Sequence, residues 1–138
     1  MFCILVGVEF CHFTTGALFF MELTIEQLEN NIKKISLRGR MDIGGVDQIA
    51  LRFSSEASME KANVIVDLTD LEFMASVGLG TLVRSYKALK LRGGKMVLLN
   101  PRKVVELVLE STQVNTLIPI CYDLRQACEE LMQNSPEA

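Results

Sequence analysis

An α/β domain organised around one mixed sheet is predicted by three features of the sequence. Val64-Ile65-Val66 is a short β-branched run with the composition of a strand buried on both faces. Behind it Leu79, Leu82, Val83, Tyr86 and Leu89 recur at spacings of three and four, the pattern of a helix with one apolar face. Gly93-Gly94 then supplies a helix stop, and Lys95 to Leu99 starts another apolar run. Strand, loop, helix and strand in that order form a crossover, which joins parallel neighbours in a sheet.

The other elements extend this unit in both directions. Glu22 to Leu28 and Ile32 to Leu37 flank Glu29-Asn30-Asn31, a polar turn whose asparagines tolerate left-handed backbone, so a β-hairpin is expected. Gly39 to Gly45 follows as a loop, and Val46, Ile49, Ala50, Phe53 and Ala57 predict a helix over Val46 to Lys61. The Asp67 to Asp70 cluster is expected to end the central strand. After the strand at Lys95 to Asn100, Asn100-Pro101 is a helix start, with asparagine as the cap and proline in the first turn. Thr116 to Tyr122 is predicted as a short strand, placed at an edge by Pro119. Asp123 caps a last helix whose buried stripe is Leu124, Ala127, Cys128 and Leu131, and 133–138 is a polar tail. The result is a hairpin followed by alternating helices and strands, with about four helices packed on the sheet.

Composition narrows the function. The chain has 138 residues, 49% of them apolar, enough for one domain with a real core. Its net charge of −3 supplies no broad attraction to nucleic acid or anionic lipid. Cys3, Cys11, Cys121 and Cys128 fall in two distant pairs and are read as reduced thiols of a cytoplasmic protein. With His12 as the sole histidine and no zinc-like cysteine spacing, neither a metal site nor a histidine-based triad is expected. Residues 1–20 differ from the rest, with Glu9 and His12 the only ionisable side chains from Phe2 to Phe20. An upstream extension ahead of a start at Met21, an extra packed segment and a membrane segment are the three readings. The last is disfavoured because no Lys or Arg precedes the apolar stretch.

Four sites invite chemistry. Gly78-Leu79-Gly80 suggests a dinucleotide fingerprint, but Val83 occupies the third glycine position and the central strand is expected to end too early for the turn that motif needs. Asp67-Leu-Thr-Asp has no paired base and fits turn chemistry better. Cys121 and Cys128 fit packing better than nucleophilic work. Ser76 stands at the start of a helix, where its hydroxyl can cap orphan amides. A phosphate there would carry about −1.5 to −2 charges at the positive end of the helix dipole, so the fold would tolerate it while the surface changed sharply.

The run Val66-Asp-Leu-Thr-Asp-Leu-Glu-Phe-Met-Ala-Ser-Val-Gly-Leu-Gly-Thr-Leu resembles the signature of STAS domains, in particular bacterial anti-sigma-factor antagonists. That signature is a strand ending in Asp-Leu-Ser, an aromatic and an aliphatic residue, then Asp-Ser-Ser/Thr/Ala-Gly-Leu-Gly. Gly39-Arg40-Met41-Asp42 is similar to the family's Gly-x-(Leu/Ile/Val)-Asp loop, and Gly93-Gly94 before the next strand also matches. The resemblance covers residues 21–132.

The resemblance implies a STAS-like fold and a domain that is a switch rather than an enzyme, with no cofactor. Its partner would be an anti-sigma-factor serine kinase, with a serine phosphatase reversing the modification. Ser76 would be the phosphoacceptor. Asp42, Met74, Ala75, Val77, Gly78, Leu79 and Gly80, with Arg84 and Lys87 at the rim, would form the partner surface. Two positions depart from the pattern: Ala75 replaces the usual aspartate, and Val77 a small or polar residue. The alternatives are a STAS module that is never phosphorylated and serves as a scaffold or beside a transporter, and a small-ligand sensor near Asp42 and Ser76. An exposed hairpin edge leaves self-pairing open.

Overall fold

The computed structural model describes residues 9–11, 21–58 and 62–132. Apart from the backbone of 9–11, the segment read as an extension at 1–20 lies outside the described residues, as does the tail at 133–138. The strands are β1 (Glu9–Cys11), β2 (Met21–Leu28), β3 (Ile32–Met41), β4 (Asn63–Met74), β5 (Lys95–Leu99) and β6 (Ile120–Cys121). The helices are α1 (Ile43–Ser58), α2 (Ser76–Leu91), α3 (Lys103–Ser111) and α4 (Leu124–Met132), with a 3-10 turn at Val114–Thr116.

The strands form one sheet in chain order, β1-β2-β3-β4-β5-β6. β1–β2 and β2–β3 pair antiparallel, while the three later pairs are parallel. Asn30 and Asn31 take φ of 62° and 60°, the left-handed pair that turns a two-strand hairpin without splaying it. Each parallel step moves the same way along the sheet. Right-handed crossovers therefore put α1, α2 and α3 on one face.

Two cores result. Val64, Val66 and Leu68 of β4 join Leu23, Leu37, Phe53, Leu82, Leu89, Leu98 and Val105 on the first face. Ile65 points the other way, where α4 brings Ala127 and Leu131 against it, Val97, Leu99 and Cys121. The period-2 alternation of β4 and β5 is why both faces need apolar residues. Phe53 is fully buried at the centre of α1, so truncating it to alanine would cost about 3–5 kcal/mol.

The helix stop falls where glycine requires it. Gly93 has φ 86°, its N–H donates to the Lys90 carbonyl, and the Gly94 N–H reaches back to Leu89 O at 3.0 Å, a Schellman motif. Asp123 caps α4 as expected, its Oδ1 accepting from the Gln126 N–H at 2.7 Å.

Several expected boundaries move. The Asp67 to Asp70 cluster does not end β4. Asp67 Oδ1 takes the Thr69 N–H at 3.0 Å, yet β4 goes on pairing with β3 through Asp70, Leu71, Phe73 and Met74. Because β4 reaches Met74 and α2 starts at Ser76, the strand does not stop short of the Gly78-Leu79-Gly80 run. The fingerprint fails instead because both glycines lie inside the first turns of α2, with Val83 in the third position. β3 absorbs the first half of the expected Gly39–Gly45 loop, and α1 begins at Ile43 rather than Val46. Asn100 does not cap α3: it sits in a left-handed turn at φ 50°, and Arg102 holds the cap position. Most of the Thr116 to Tyr122 strand is turn, leaving only Ile120–Cys121 paired.

Candidate functional site

The C-terminal ends of β3 and β4 lead into the N-termini of α1 and α2, and these two junctions lie side by side. They are joined by one backbone bond, from the Ala75 N–H to the Met41 carbonyl at 3.0 Å. β3 reaches this point through two register irregularities against β4, between Ser36 and Arg38 and between Gly39 and Arg40. Gly39 takes φ 112°, a geometry open to glycine. Bulges of this kind re-aim the side chains after them.

Arg40 and Asp42 follow the bulge. The Arg40 guanidinium lies over the Phe73 ring, 4.6 Å from its centroid, and its Nε is 3.6 Å from Asp42 Oδ2. Asp42 Oδ1 accepts the Gly45 N–H at 2.9 Å, so Asp42 is the N-cap of α1. Both carboxylate oxygens are thus engaged. Asp42 serves as a cap and an ion partner, and among the described residues no base is paired with the Ser76 hydroxyl.

At the neighbouring junction Ala75 holds the cap position of α2 with extended backbone (φ −89°, ψ 172°), and no side chain completes the cap. Ser76 is the first residue of the helix proper, which corrects the capping role expected for it. Its side chain is exposed, with Val77 beside it. The first turn of α2 has no acidic residue, and its orphan N–H groups give this end a positive field.

The residues expected to form the partner surface divide into two layers. Asp42, Ser76, Val77, Gly80, Arg84 and Lys87 lie at or near the surface, and Ala75 is half-buried. Met74 and Leu79 do not face a partner, for they are buried in the first core at 2% and 7% exposure. Gly78 is also buried: a Cβ there would sit 2.8 Å from Met41 Cγ and 3.2 Å from the Met41 carbonyl oxygen. These three set how closely α2 approaches the end of β3. They support the surface from below.

Sequence reasoning missed Ile43, Arg40 and Phe73. Ile43 is 72% exposed at the start of α1, a large apolar side chain in the open beside Asp42. An apolar residue directly after a capping aspartate was its one sequence signal. The stacking of Arg40 on Phe73 depends on β3–β4 register, which local sequence does not encode. Electrostatically, α2 is one-sided: from Ser76 to Leu91 its charged residues are Arg84, Lys87 and Lys90, with no carboxylate.

Among the described residues no group of acidic, histidine and cysteine side chains could hold a metal ion, and no helix is long and apolar enough to cross a membrane. What the two junctions offer is a small surface with the apolar tips of Ile43 and Val77, basic side chains nearby and the exposed Ser76 hydroxyl. The chain belongs to the STAS domain family, whose model matches residues 23–127. It is 26% identical over 105 residues to the anti-sigma F factor antagonist of Paenibacillus polymyxa, spanning 75% of this chain and 89% of that protein. Its fold matches the crystal structure of an anti-sigma factor antagonist from Mycobacterium paratuberculosis with a TM-score of 0.73 at 18% identity, covering 82% of this chain and 95% of that one. The anti-sigma factor antagonist SpoIIAA in its unphosphorylated form has the same fold (TM-score 0.66, 23% identity, 81% and 99% coverage). So does the Bacillus cell fate determinant SpoIIAA in its phosphorylated form (TM-score 0.60, 23% identity, 78% and 97% coverage).

Proposed function

We propose that this chain is a cytoplasmic anti-sigma-factor antagonist. It binds an anti-sigma-factor serine kinase and so frees a sigma factor, and phosphorylation of Ser76 switches it off. A serine phosphatase resets it. In this cycle the chain is a substrate and a binding partner, not a catalyst.

The observation that carries the reading is the position of Ser76. Its side chain is exposed on the first turn of α2, and the helix start is already made by the backbone of Ala75. Modification therefore removes no structural bond. The dianion it adds meets the positive end of a helix, so the domain stays folded. A partner that packs closely over Val77 and Gly80 would have to bury that charge, and a desolvated, unpaired dianion abolishes such an interface. Family membership and the antagonist relatives support the same role. A protein sharing this fold, the Bacillus cell fate determinant SpoIIAA, has a phosphorylated form.

The test uses the full chain as bait in a lysate of its own cell with ATP and Mg²⁺, in three versions: parent, Ser76→Ala and Ser76→Asp. Mass spectrometry reads bait and prey. The expected outcome is a kinase-like anti-sigma factor on the parent and Ala baits, its loss from the Asp bait, and phosphate on Ser76 of the parent. Recovery of one prey by all three baits with no phosphate would overturn the switch and leave a constitutive scaffold.

A further inference from the structure

Gly80 stands one helical turn after Ser76, and Arg84 stands one turn after Gly80. Side chains on a helix lean toward its N-terminus, so Arg84 is aimed along the row that leads to Ser76. Gly80 leaves that row bare. The Arg84 guanidinium fills the space, with Nη1 3.2 Å and Cζ 3.9 Å from where a Cβ on Gly80 would lie. It therefore rests about one turn, roughly 6 Å along the axis, from the Ser76 backbone. By the same rule a phosphate on the Ser76 hydroxyl lies on the N-terminal side, so the pair closes by Arg84 extending past Gly80 toward the first turn.

Among the described residues, the basic group of the neighbouring junction is already engaged. Arg40, from the end of β3, is stacked on Phe73 and paired with Asp42, whose second oxygen is held by the α1 backbone. Lys87 lies a further turn down α2. No carboxylate on α2, and none at Ala75, competes for the Arg84 guanidinium.

Resting on the reading of Ser76 as a phosphoacceptor, we infer that Arg84 is the built-in receptor for the Ser76 phosphate, reaching it across the bare backbone of Gly80. The consequence is a switch that acts twice. Phosphorylation places a dianion on the docking surface, and it also withdraws Arg84 from the partner into a charge-assisted pair with the phosphate. Gly80 is then a positioning residue, since any side chain there would stand between the two groups.

The test installs phosphoserine at position 76 of the full chain during translation and follows its ³¹P shift against pH, through the second ionisation near about 6. A cation in contact favours the dianion and lowers that midpoint. Arg84→Gln is expected to raise the midpoint by roughly half a unit or more relative to the parent, and Gly80→Ala to raise it in the same direction by less. Lys87→Gln and Arg40→Gln are expected to leave it within roughly 0.2 units of the parent. Coincident titrations for Arg84→Gln and the parent would overturn the inference, as would a shift produced by Arg40→Gln in place of Arg84→Gln. Arg84 is exposed, so its replacement leaves the fold intact, which far-ultraviolet circular dichroism checks. Because the phosphate is incorporated during translation, the titration does not depend on any kinase. Failure to find kinase or phosphate in cells would overturn the proposed switch without touching this result, and the reverse also holds.

Discussion

The Ala75 N–H donates to the Met41 carbonyl at 3.0 Å, and this bond sets the start of α2 directly beside the start of α1. Met41 is fully buried and also fills the space under Gly78, so the two helix starts share one packed floor. Stability and partner binding should therefore separate cleanly between the floor and the residues above it.

The adjacent glycines of α1 test the floor. A Cβ at Gly45 would lie 2.0 Å from the Arg40 carbonyl oxygen and 2.7 Å from Met21 Cγ, whereas one at Gly44 meets nothing closer than Asp42 Oδ1 at 3.8 Å. Gly45→Ala is expected to destabilise by about 1–3 kcal/mol or more. Gly44→Ala should be neutral or stabilising by up to about 1 kcal/mol. Urea unfolding of the two variants would decide; equal midpoints would mean that the α1 start is not packed as described.

Asp42 has a structural task that a family role would obscure. Asp42→Ala removes the cap on the Gly45 N–H and should cost about 1 kcal/mol, while Asp42→Asn keeps an accepting oxygen and should cost only a few tenths. A loss of partner capture in Asp42→Asn at unchanged stability would separate recognition from capping. Denaturation and pull-down on the same preparations give both readings.

Val77 is 37% exposed beside Ser76 and belongs to the layer above the floor. Val77→Glu places a negative charge on the first turn of α2, which the helix dipole favours by a few tenths of a kcal/mol or about 0.5. Thermal stability should hold or rise slightly. Capture of the proposed partner should fall sharply, and full retention would remove Val77 from the proposed docking surface.

Two groups at the β6 edge of the sheet titrate predictably. The Tyr122 hydroxyl donates to Glu106 Oε2, and this bond, with lesser help from burial and from the Glu106, Glu110 and Cys121 charges, raises the phenol above its ordinary 10.0. The fold favours the protonated phenol. Any stability from the contact is thus present below the unfolded-state value and lost as pH rises through the higher folded-state one. Ultraviolet titration of Glu106→Ala should show the Tyr122 midpoint moving back down.

Cys121 is raised first by burial and then by the Glu130 and Asp123 charges. Cys121 is 2% exposed, and Cys128 is more open. At neutral pH a mild alkylating agent should therefore modify Cys128 well before Cys121, as read by peptide mapping. The opposite order would mean that α4 opens readily from the sheet.

Much of this protein is written locally. Val64-Ile65-Val66 demands a strand covered on both sides, and the structure provides cover with α1 to α3 on one face and α4 on the other. Asn30-Asn31 and Gly93-Gly94 mark a hairpin and a helix end because few residues take left-handed backbone without cost, and Asp123 caps its helix through its own side chain. Short-range sterics and hydrophobic period determine all of these. The site was less legible. Ser76 lies one residue inside its helix, and β4 outruns the Asp67 cluster, because pairing with β3 as far as Met74 outweighs the local turn preference. Which of Met74, Val77, Gly78 and Leu79 reach the surface depended on where α2 settles over Met41. The set of Arg40 on Phe73 depended on strand register, and only the packed sheet fixes either, since both join residues about 30 positions apart along the chain.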